Sequence, residues 1–357
     1  MYKNFFMGIA AMAALTLVSC SSDDLNSLSD NSSKNEAISF DGYWGRSAVS
    51  VNDSRGSVID KAEDLQNISE GFGVFGNYTS TDVTTTTYGE NLFKNQQVTY
   101  DATAETPAWT YKPVKYWSPA GHIDFLAYAP FDSNQKLKES SKLDFTVNST
   151  ITAQKDLLWA NAANKTNTDK PVTFIFKHAL SRLGYTVKTS AAAEGTTITL
   201  NQITLAGSDP KSTTETAKAF YTEGAIDLST GHWKEHSKDA VKQDFNWFSG
   251  SEDVTSASES KPYTNPTSDY LFVIPQDFST GNANADQLYV IVEYTVSYNG
   301  GVKATVPYKV SQQLTNNFEK GKAYTINLTI GLTPIEFDVT TVEGWTDINQ
   351  VEINSWN

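Results

Sequence analysis

Apolar and polar residues alternate with a period of two along much of the chain beyond residue 36. The longest alternating stretch covers residues 288–298, is followed by Asn299-Gly300, and resumes in residues 302–310. A period of two places successive side chains on opposite faces of a strand, and Asn-Gly supplies the positive φ angles of a tight turn. The stretch is therefore predicted to form a β-hairpin. The side chains expected in its core are Val292, Tyr294 and Val306.

Other short apolar runs are predicted as strands because Gly, Pro, Asn or Asp bounds each of them. They cover residues 123–128, 172–177, 185–188, 197–205, 271–274 and 324–330, the last of which alternates like a half-buried antiparallel strand. Helical periodicity is weak and confined to residues 58–65 and 179–183. Many short strands separated by turn signals are typical of β-sandwiches. The predicted fold class is therefore all-β, with two β-sandwich domains in tandem.

A polar run at residues 161–170 divides the predicted folded region into two near-equal halves. Boundaries between domains often have this composition. We therefore expect an N-terminal β-sandwich in residues 37–170 and a C-terminal β-sandwich in residues 171–357.

The start of the chain resembles an export signal. Residues 5–18 are apolar but too few for a spanning helix, which needs about 20. They lead into Leu17-Val18-Ser19-Cys20, which matches the lipobox of bacterial lipoproteins, where the cysteine thiol is acylated. We expect a signal peptide in residues 1–19 and a lipidated flexible tether in residues 20–36, attached to the outer membrane through Cys20. A plain secretory signal ending by chance in a cysteine is the alternative.

Composition narrows the function classes. Hydrophobic residues make up 39% of the 357 and charged residues 19%, which is enough apolar material for a packed core. The net charge of −14 repels phosphate backbones, so nucleic acid is not an expected partner. A single cysteine excludes an intrachain disulfide and a zinc site built from cysteines.

The sequence offers little that resembles an active site. His232 and His236 have a spacing that could place two imidazoles on one metal if they lay on a helix, but the flanking residues favour a surface loop. His122 and His178 lie beside predicted strands, where ordinary hydrogen bonds are expected. The acidic pair Glu252-Asp253 has no feature that distinguishes it from surface charge. We therefore predict a protein that is not an enzyme and has no cofactor or metal.

An aromatic cluster lies between residues 109 and 117. Trp109, Tyr111, Tyr116 and Trp117 could form a platform for sugar rings, as in many lectin-like modules. The strand period instead favours packing of Trp109 and Tyr111 into a core, with Trp117 beneath the next turn.

Several segments in this order and spacing resemble fimbrillins, the pilus subunits of Bacteroidetes. They are residues 38–40, 54–56, 71–75, 109–117, 123–130, 176–183, 274–276 and 320–324. The resemblance extends over nearly all of the predicted folded chain.

The resemblance implies a transthyretin-like, Greek-key topology for both sandwiches. It also implies export as a lipoprotein, followed by cleavage by an arginine-specific protease at the cell surface. The cleavage would release an N-terminal strand, and a strand of a neighbouring subunit would fill the opened groove. Such an exchange satisfies the unpaired backbone groups and the apolar slot of an incomplete sandwich.

Carried onto this chain, the resemblance assigns the removable strand to residues 38–43, with Ile38, Phe40 and Gly42 facing inward. The family position for cleavage falls at Arg55 before Gly56, and Arg46 before Ser47 is the second candidate. An unprocessed turn at Arg55 is the alternative interpretation. The candidate donor strand consists of Ile335, Phe337 and Val339, which alternate with polar residues; an ordinary terminal strand is equally compatible with that pattern.

The leading functional hypothesis is a structural subunit of surface fimbriae that serves cell adhesion. Its expected partners are other fimbrial subunits, in a homo- or heteropolymer, the arginine-specific protease, the outer membrane through the lipid, and an adhesion receptor on host or bacterium. The alternative is a surface lipoprotein that binds glycan through its β-sandwich modules, and a glycosidase is a weaker third hypothesis.

Overall fold

The computed structural model describes residues 36–43, 62–81, 85–190, 194–212, 217–237, 240–280, 286–298, 304–331 and 336–342. These residues belong to one compact unit. Within them nearly all regular elements are strands, which confirms the predicted all-β class.

The elements follow one another in short segments. The strands of the first half are β1 (Phe40–Tyr43), β2 (Phe72–Thr79), β3 (Phe93–Asp101), β4 (Ala108–Thr110), β5 (His122–Ala129), β6 (Lys142–Thr146), β7 (Leu158–Lys165), β8 (Val172–Ile175) and β9 (Lys177–His178). Those of the second half are β10 (Ser181–Thr189), β11 (Thr196–Ala206), β12 (Phe220–Tyr221), β13 (Glu223–Asp227), β14 (His232–Trp233), β15 (Lys242–Gln243), β16 (Phe245–Asp253), β17 (Tyr263–Thr264), β18 (Leu271–Val273), β19 (Gln276–Asp277), β20 (Leu288–Tyr298), β21 (Ala304–Leu314), β22 (Asn317–Phe318), β23 (Ala323–Ile330) and β24 (Glu336–Val342). The helical elements are α1 (Ala62–Asn67) and two 3-10 turns, Ile151–Ala153 and Thr267–Asp269.

The first half is built on a six-stranded sheet in the order β4-β3-β2-β5-β7-β9. The two-stranded parallel pair β1-β8 contributes to the same hydrophobic cluster. We call this cluster the aromatic core; its buried residues are Ile38, Phe40, Leu65, Phe72, Val74, Phe93, Val98, Trp109, Trp117, Ile123, Phe125, Ala127, Ala129, Leu158, Ala160, Ala162, Val172, Phe174 and Phe176.

The second half contains two four-strand paths, β16-β11-β20-β21 and β17-β10-β23-β24, with β18 also paired to β10. Their buried faces supply most of a larger hydrophobic cluster, which we call the large core. Smaller sheets, β12-β15, β19-β22 and β14-β13-β6, complete the fold. The last of these joins the halves, because β6 pairs antiparallel with β13 from Glu223↔Thr146 to Asp227↔Lys142.

Strand β5 is buried along its whole length because both of its faces are covered. Ile123 and Phe125 face the aromatic core, whereas Leu126 and Tyr128 belong to the large core. A strand covered on both faces has apolar residues at most successive positions, as in the sequence HIDFLAYA. The two hydrophobic clusters are therefore on opposite faces of one sheet.

The polar run at residues 161–170 is partly strand in the structure. Residues 161–165 continue strand β7, which pairs with β5, and β8 pairs with β1 rather than with the second half. Val172, Phe174 and Phe176 all lie in the aromatic core, and the first residue of the large core after them is Ala179. The polar residues at 161–165 therefore belong to a half-buried strand and do not form a linker.

The predicted hairpin is confirmed by β20 and β21, which pair antiparallel from Leu288↔Leu314 to Tyr298↔Ala304. Asn299-Gly300 lies outside the described residues. Val292 and Tyr294 are buried as expected, but the prediction for Val306 is wrong, because its side chain is 37% exposed. Val306 is exposed because β21 lies at the edge of its sheet among the described strands. Most residues of β21 are at least partly exposed.

Three other predictions need correction. The strand expected at 324–330 is β23, but it pairs parallel with β10 on one side and antiparallel with β24 on the other. The helical window at 179–183 is not a helix, since β10 begins at Ser181. The described part of the window at 58–65 lies in the six-residue helix α1, which continues to Asn67, and residues 58–61 lie outside the described residues.

Across the described ranges, helices long and apolar enough to cross a bilayer were not found.

Candidate strand-exchange groove

Strand β1 and the residues before it lie between two neighbouring segments. On one side, the Ile38 N–H donates to the Lys115 carbonyl at 2.8 Å, and the Trp117 N–H donates to the Glu36 carbonyl at 2.9 Å. On the other side, the Val172 N–H donates to the Ser39 carbonyl at 2.8 Å, where the parallel pairing with β8 begins. Residues 36–43 therefore fill a groove between residues 115–117 and β8.

The side chains of this strand alternate as the sequence predicts. Ile38 and Phe40 are buried at 1% and 4% exposure, whereas Ser39 is exposed. Burying one such side chain contributes about 1.5–3 kcal/mol, so both side chains help to hold residues 36–43 in place.

Phe40 lies at the centre of the aromatic core. Its ring contacts Phe93 and Phe125 edge to face, with centroid distances of 5.4 and 5.5 Å, and stacks on Phe174 at 5.6 Å. Edge-to-face and offset-stacked pairs are the favoured aromatic arrangements and add about 0.5–1.5 kcal/mol each beyond area burial. Removing residues 36–43 would therefore open an apolar slot lined by aromatic rings.

The groove narrows at Gly42. A Cβ atom at this position would lie 3.1 Å from Leu65 Cδ2 and 3.4 Å from the Trp109 ring. Leu65 comes from helix α1 and Trp109 from the short strand β4, so both elements close this end of the groove. The third inward position is therefore narrow, because a Cβ atom there would require Leu65 to shift by a few tenths of an ångström.

Tyr111 connects the groove wall to the strand. Its hydroxyl donates to the Ile38 carbonyl at 2.7 Å and accepts from the Lys115 N–H at 3.2 Å. Burial raises the pKa of the Tyr111 hydroxyl, so it stays a donor beyond the ordinary titration range of tyrosine. At the open end, Lys170 forms an ion pair with Glu36 on the strand.

The aromatic cluster at residues 109–117 forms part of this groove rather than a platform. Trp109 and Trp117 are buried, and Tyr111 packs against the aromatic core, as the strand period favoured. Tyr116 is 57% exposed and pairs with Ala37 through an isolated bridge. The buried faces of these rings are not accessible to a sugar.

Of the residues predicted for lipidation, processing and strand donation, only two are among the described residues. Cys20, Arg46, Ser47, Arg55, Gly56 and Ile335 fall outside the described residues. Phe337 and Val339 lie on β24, where they are the register partners of Leu328 and Ile326 in the same sheet. Sequence reasoning missed Leu65 and Phe174 as groove residues. The alternation of Val172, Phe174 and Phe176 indicated that Phe174 faces a core. It could not show which core, because the parallel partner of β8 is β1, about 130 residues away in the chain.

Two of the histidines contact neighbouring side chains, and a third is exposed. His232 is exposed on β14, and His236 stacks on Tyr221 with a centroid distance of 3.6 Å, where burial and the charge of Lys242 lower its pKa. His178 Nδ1 lies 2.8 Å from the Asp156 carboxylate, and both side chains are buried. Among the described residues, no three His, Cys, Asp or Glu side chains are grouped so as to hold a metal ion.

The acidic pair at the end of β16 also has a structural role. The Asp253 carboxylate accepts from the Thr255 hydroxyl at 2.6 Å and from the Thr255 N–H at 3.0 Å. These hydrogen bonds lower the pKa of Asp253. A carboxyl group stabilised as an anion by its own turn is not suited to act as a general acid.

The match to a family model and one solved structure agree with this architecture. The fimbrillin-like family model matches residues 62–345. A fimbrial protein from Bacteroides vulgatus has 20% sequence identity and a TM-score of 0.63, with 87% of this chain and 100% of that chain covered. The tip fimbrial protein Mfa3 from Porphyromonas gingivalis, truncated at its C-terminus, has 11% identity and a TM-score of 0.32, with 76% and 98% covered. No significant match was found among curated proteins.

The family match covers well over half of the chain, so the chain belongs to the fimbrillin-like family. This is a family of structural pilus subunits and not of enzymes. Membership places the protein in a cell-surface fimbrium, in contact with other fimbrial subunits.

Proposed function

We propose that this protein is a fimbrial subunit that serves cell adhesion and assembles by protease-triggered donor-strand exchange. Residues 38–43 are the strand that is displaced, and a strand of a neighbouring subunit takes their place. A head-to-tail contact of this kind does not close on itself, so repetition produces a filament.

The arrangement of residues 36–43 is the observation that supports this proposal. They are bonded on both edges, to residues 115–117 and to β8, and they place Ile38 and Phe40 in the aromatic core. Their loss would leave two unpaired backbone edges and an open apolar slot. An incoming strand with a matching period of two satisfies both requirements together.

Export and processing complete the proposal. Cys20 becomes the lipidated N-terminus that anchors the exported monomer in the outer membrane, and an arginine-specific protease then cuts at Arg55 or Arg46. The resident strand keeps the groove filled until cleavage, which prevents the monomer from polymerising on the way to the surface. Cleavage frees the strand from the rest of the chain, and the donor displaces it.

Substitution of the two arginines tests the processing step. Arg55→Ala, Arg46→Ala and the double variant are expressed in cells that carry the protease, and subunit ladders are scored on gels of unboiled samples. Arg55→Ala alone abolishes the ladders if the family position is used, and only the double variant does so if either site suffices. N-terminal sequencing of the subunit reports whether residues 38–43 have been removed.

One result would overturn the assembly mechanism. If the double variant forms undiminished ladders while N-terminal sequencing shows residues 38–43 intact, strand displacement is not required. A glycan array with the purified protein would then test the alternative, a glycan-binding surface lipoprotein.

Cys20→Ala tests the anchor. In cells that lack the protease, the variant is expected to remain unprocessed or to enter the soluble pool, whereas uncleaved wild type partitions with the membrane fraction and requires detergent for release. Detergent-free release of the uncleaved wild-type protein would contradict lipidation.

A further inference from the structure

Strands β7 and β8 diverge and leave a cleft between them. One edge of β7 pairs with β5, but on its other edge only Leu158 and Trp159 pair with β9 among the described strands. Strand β8 pairs with β1 instead. The cleft has a volume of about 350 Å³, within the range of about 300–1,000 Å³ that is typical of small-molecule sites. It is lined by residues 159–163, Lys165, Thr173, Ile175 and Lys177.

The lining combines two cations, two uncharged polar side chains and one exposed aliphatic side chain. Lys165 is the last residue of β7 and Lys177 the first of β9, and both are partly exposed. Asn161 supplies an amide and Thr173 a hydroxyl, whereas Ile175 is 42% exposed and presents an apolar surface. Small-molecule sites combine apolar surface with a few polar groups in this way. A sugar ring matches the mixture, because it has hydroxyl groups at its edge and an apolar C–H face.

The charge of the cleft is opposite to that of the whole protein. The chain has a net charge of −14, but the charged side chains that line the cleft are Lys165 and Lys177. The Nζ atoms of Lys177 and Lys320 lie 5.5 and 4.9 Å from the centroid of the Trp159 ring at the cleft wall. Asp169 lies 3.4 Å from Lys165 Nζ in a partly exposed ion pair, which is a weak contact. The cleft therefore favours a ligand with a negative group.

The second half of the chain holds the wall of the cleft in place. Gly231 packs so closely on Trp159 that a Cβ atom there would lie 2.1 Å from the indole ring. Asn161 Nδ2 donates to the Ser229 carbonyl at 2.9 Å. The Trp159 indole N–H is buried and has no acceptor among the described residues. Buried donors usually have a partner, so a ligand oxygen at this wall would satisfy it.

From these observations we infer that the cleft between β7 and β8 binds a sugar residue that carries a carboxylate, such as a sialic or uronic acid. Lys165 and Lys177 pair with the carboxylate, Asn161 and Thr173 hydrogen-bond to hydroxyl groups, and Ile175 covers part of the C–H face. The volume is at the lower end of the range for such sites, which suits a terminal sugar residue and not an extended peptide. The inference rests on the adhesive part of the proposed function and specifies its ligand, but it does not require strand exchange.

Calorimetry with defined sugars tests this assignment on the uncleaved, full-length Cys20→Ala protein. The acidic probes are sialyllactose and trigalacturonic acid, and the matched neutral probes are lactose and the methyl ester of trigalacturonic acid. At least one acidic probe is expected to bind about tenfold or more tightly than its neutral counterpart, with an affinity that falls as salt is added. Equal binding of acidic and neutral probes would overturn the inference. So would the absence of saturable binding of either acid up to about 10 mM.

Two competitors separate the sugar from its charge. Inorganic phosphate and tri-glutamate are anions without a sugar ring, and each is expected to displace the acidic probe about tenfold less effectively than the unlabelled acidic sugar does. Displacement by phosphate at the same concentration as the sugar would show a general anion site. Equal displacement by tri-glutamate would show a peptide site. Either result would refute the sugar assignment.

A charge placed at the cleft tests its location. Ile175→Asp adds a negative charge beside the predicted carboxylate site and is expected to reduce the affinity for the acidic probe about tenfold or more. Val241→Asp is the matched control, because Val241 is 63% exposed and does not line the cleft. It adds the same charge and should leave the affinity unchanged. Equal affinities of the two variants would show that the ligand binds elsewhere.

Removal of the two cations gives a second readout. The Lys165→Gln, Lys177→Gln double variant is expected to lose about tenfold or more in affinity for the acidic probe, whereas Lys177→Arg retains most of it. Lys261→Gln, at an exposed lysine outside the cleft, is the control. A double variant that unfolds at the same temperature as the parent and binds with unchanged affinity would refute the inference. If the double variant does not fold, the Ile175→Asp and Val241→Asp pair decides.

The outcome is separate from that of the arginine substitutions. Absence of sugar binding by a protein that still forms protease-dependent ladders would refute the cleft assignment and leave strand exchange intact. Sugar binding that is lost in Ile175→Asp would support the cleft even if the arginine variants show that strand displacement is not required.

Discussion

The first and last described strands of the chain are held in opposite ways. Strand β1 pairs with β8 over four residues, and the segment before it is bonded to residues 115–117 on its other edge. Strand β24 pairs with β23 over seven residues and forms the edge of its sheet. The shorter strand is therefore enclosed on both sides, whereas the longer one pairs with a single strand among those that the structure describes.

The difference shows that the number of paired residues in a strand does not indicate how much its side chains contribute to the core. Strand β1 has few backbone bonds, but Phe40 contacts the rings of Phe93, Phe125 and Phe174. Hydrogen bonds exchange protein for water and contribute about 1 kcal/mol each, whereas a buried aromatic side chain contributes several times as much. A short strand of this type fits a role in which one segment is replaced by another of the same pattern.

The largest expected effect is that of Phe40→Ala. The variant removes a side chain at the centre of the aromatic core, and the free energy of unfolding is expected to fall by about 3–5 kcal/mol in chemical denaturation. Val306→Ala, on the exposed edge strand β21, is the control and should change stability by about 0.5 kcal/mol or less. Similar losses for the two variants would mean that β1 is not an integral part of the core.

The second effect concerns the closed end of the groove. Gly42→Val is expected to destabilise the protein by about 1–3 kcal/mol, because the added side chain meets Leu65 and Trp109. Gly42→Ala adds a single carbon and should cost less than Gly42→Val. Differential scanning calorimetry of both variants would reveal this order, and a tolerated valine would contradict the narrow groove.

A smaller effect is expected for Tyr111→Phe. The variant loses the hydrogen bond to the Ile38 carbonyl and should cost about 0.5–1.5 kcal/mol. Because burial raises the pKa of Tyr111, its contribution is complete below the ordinary tyrosine value of about 10 and is lost as the pH rises through the raised value. Spectrophotometric titration of Tyr111→Phe is compared with that of Tyr116→Phe, which removes an exposed hydroxyl. The comparison shows whether Tyr111 titrates at a higher pH than Tyr116. A Tyr111 that titrates together with Tyr116 would contradict the buried contact.

The smallest effect is expected at the open end of the groove. Lys170→Ala removes the ion pair with Glu36, both of whose side chains are partly exposed. Exposed ion pairs contribute about 0–1 kcal/mol and are screened by salt. Denaturation at low and high ionic strength should show a small loss that disappears with salt. A loss comparable to that of Phe40→Ala would mean that the strand is held by charge rather than by packing.

Much of the local structure could be predicted from the sequence. The family resemblance assigned the inward positions of Ile38 and Phe40, and the period across residues 288–310 predicted the hairpin. Both predictions succeed because the period of a strand depends on its own residues. The groove itself was harder to predict, since its other walls come from Leu65, Trp109 and Phe174, which are far apart in the chain.

The sequence alone determined the strand periods, the all-β class and the family resemblance. Only the tertiary structure decided which strands are neighbours: β1 pairs parallel with β8, β5 is covered on both faces, and Val306 lies on an uncovered edge. The same holds for Gly42, which in the sequence is an ordinary turn or strand residue and in the fold faces Leu65 and Trp109. The physical reason is that periodicity assigns a side chain to a face of its strand, whereas burial and size limits depend on what the rest of the chain places against that face.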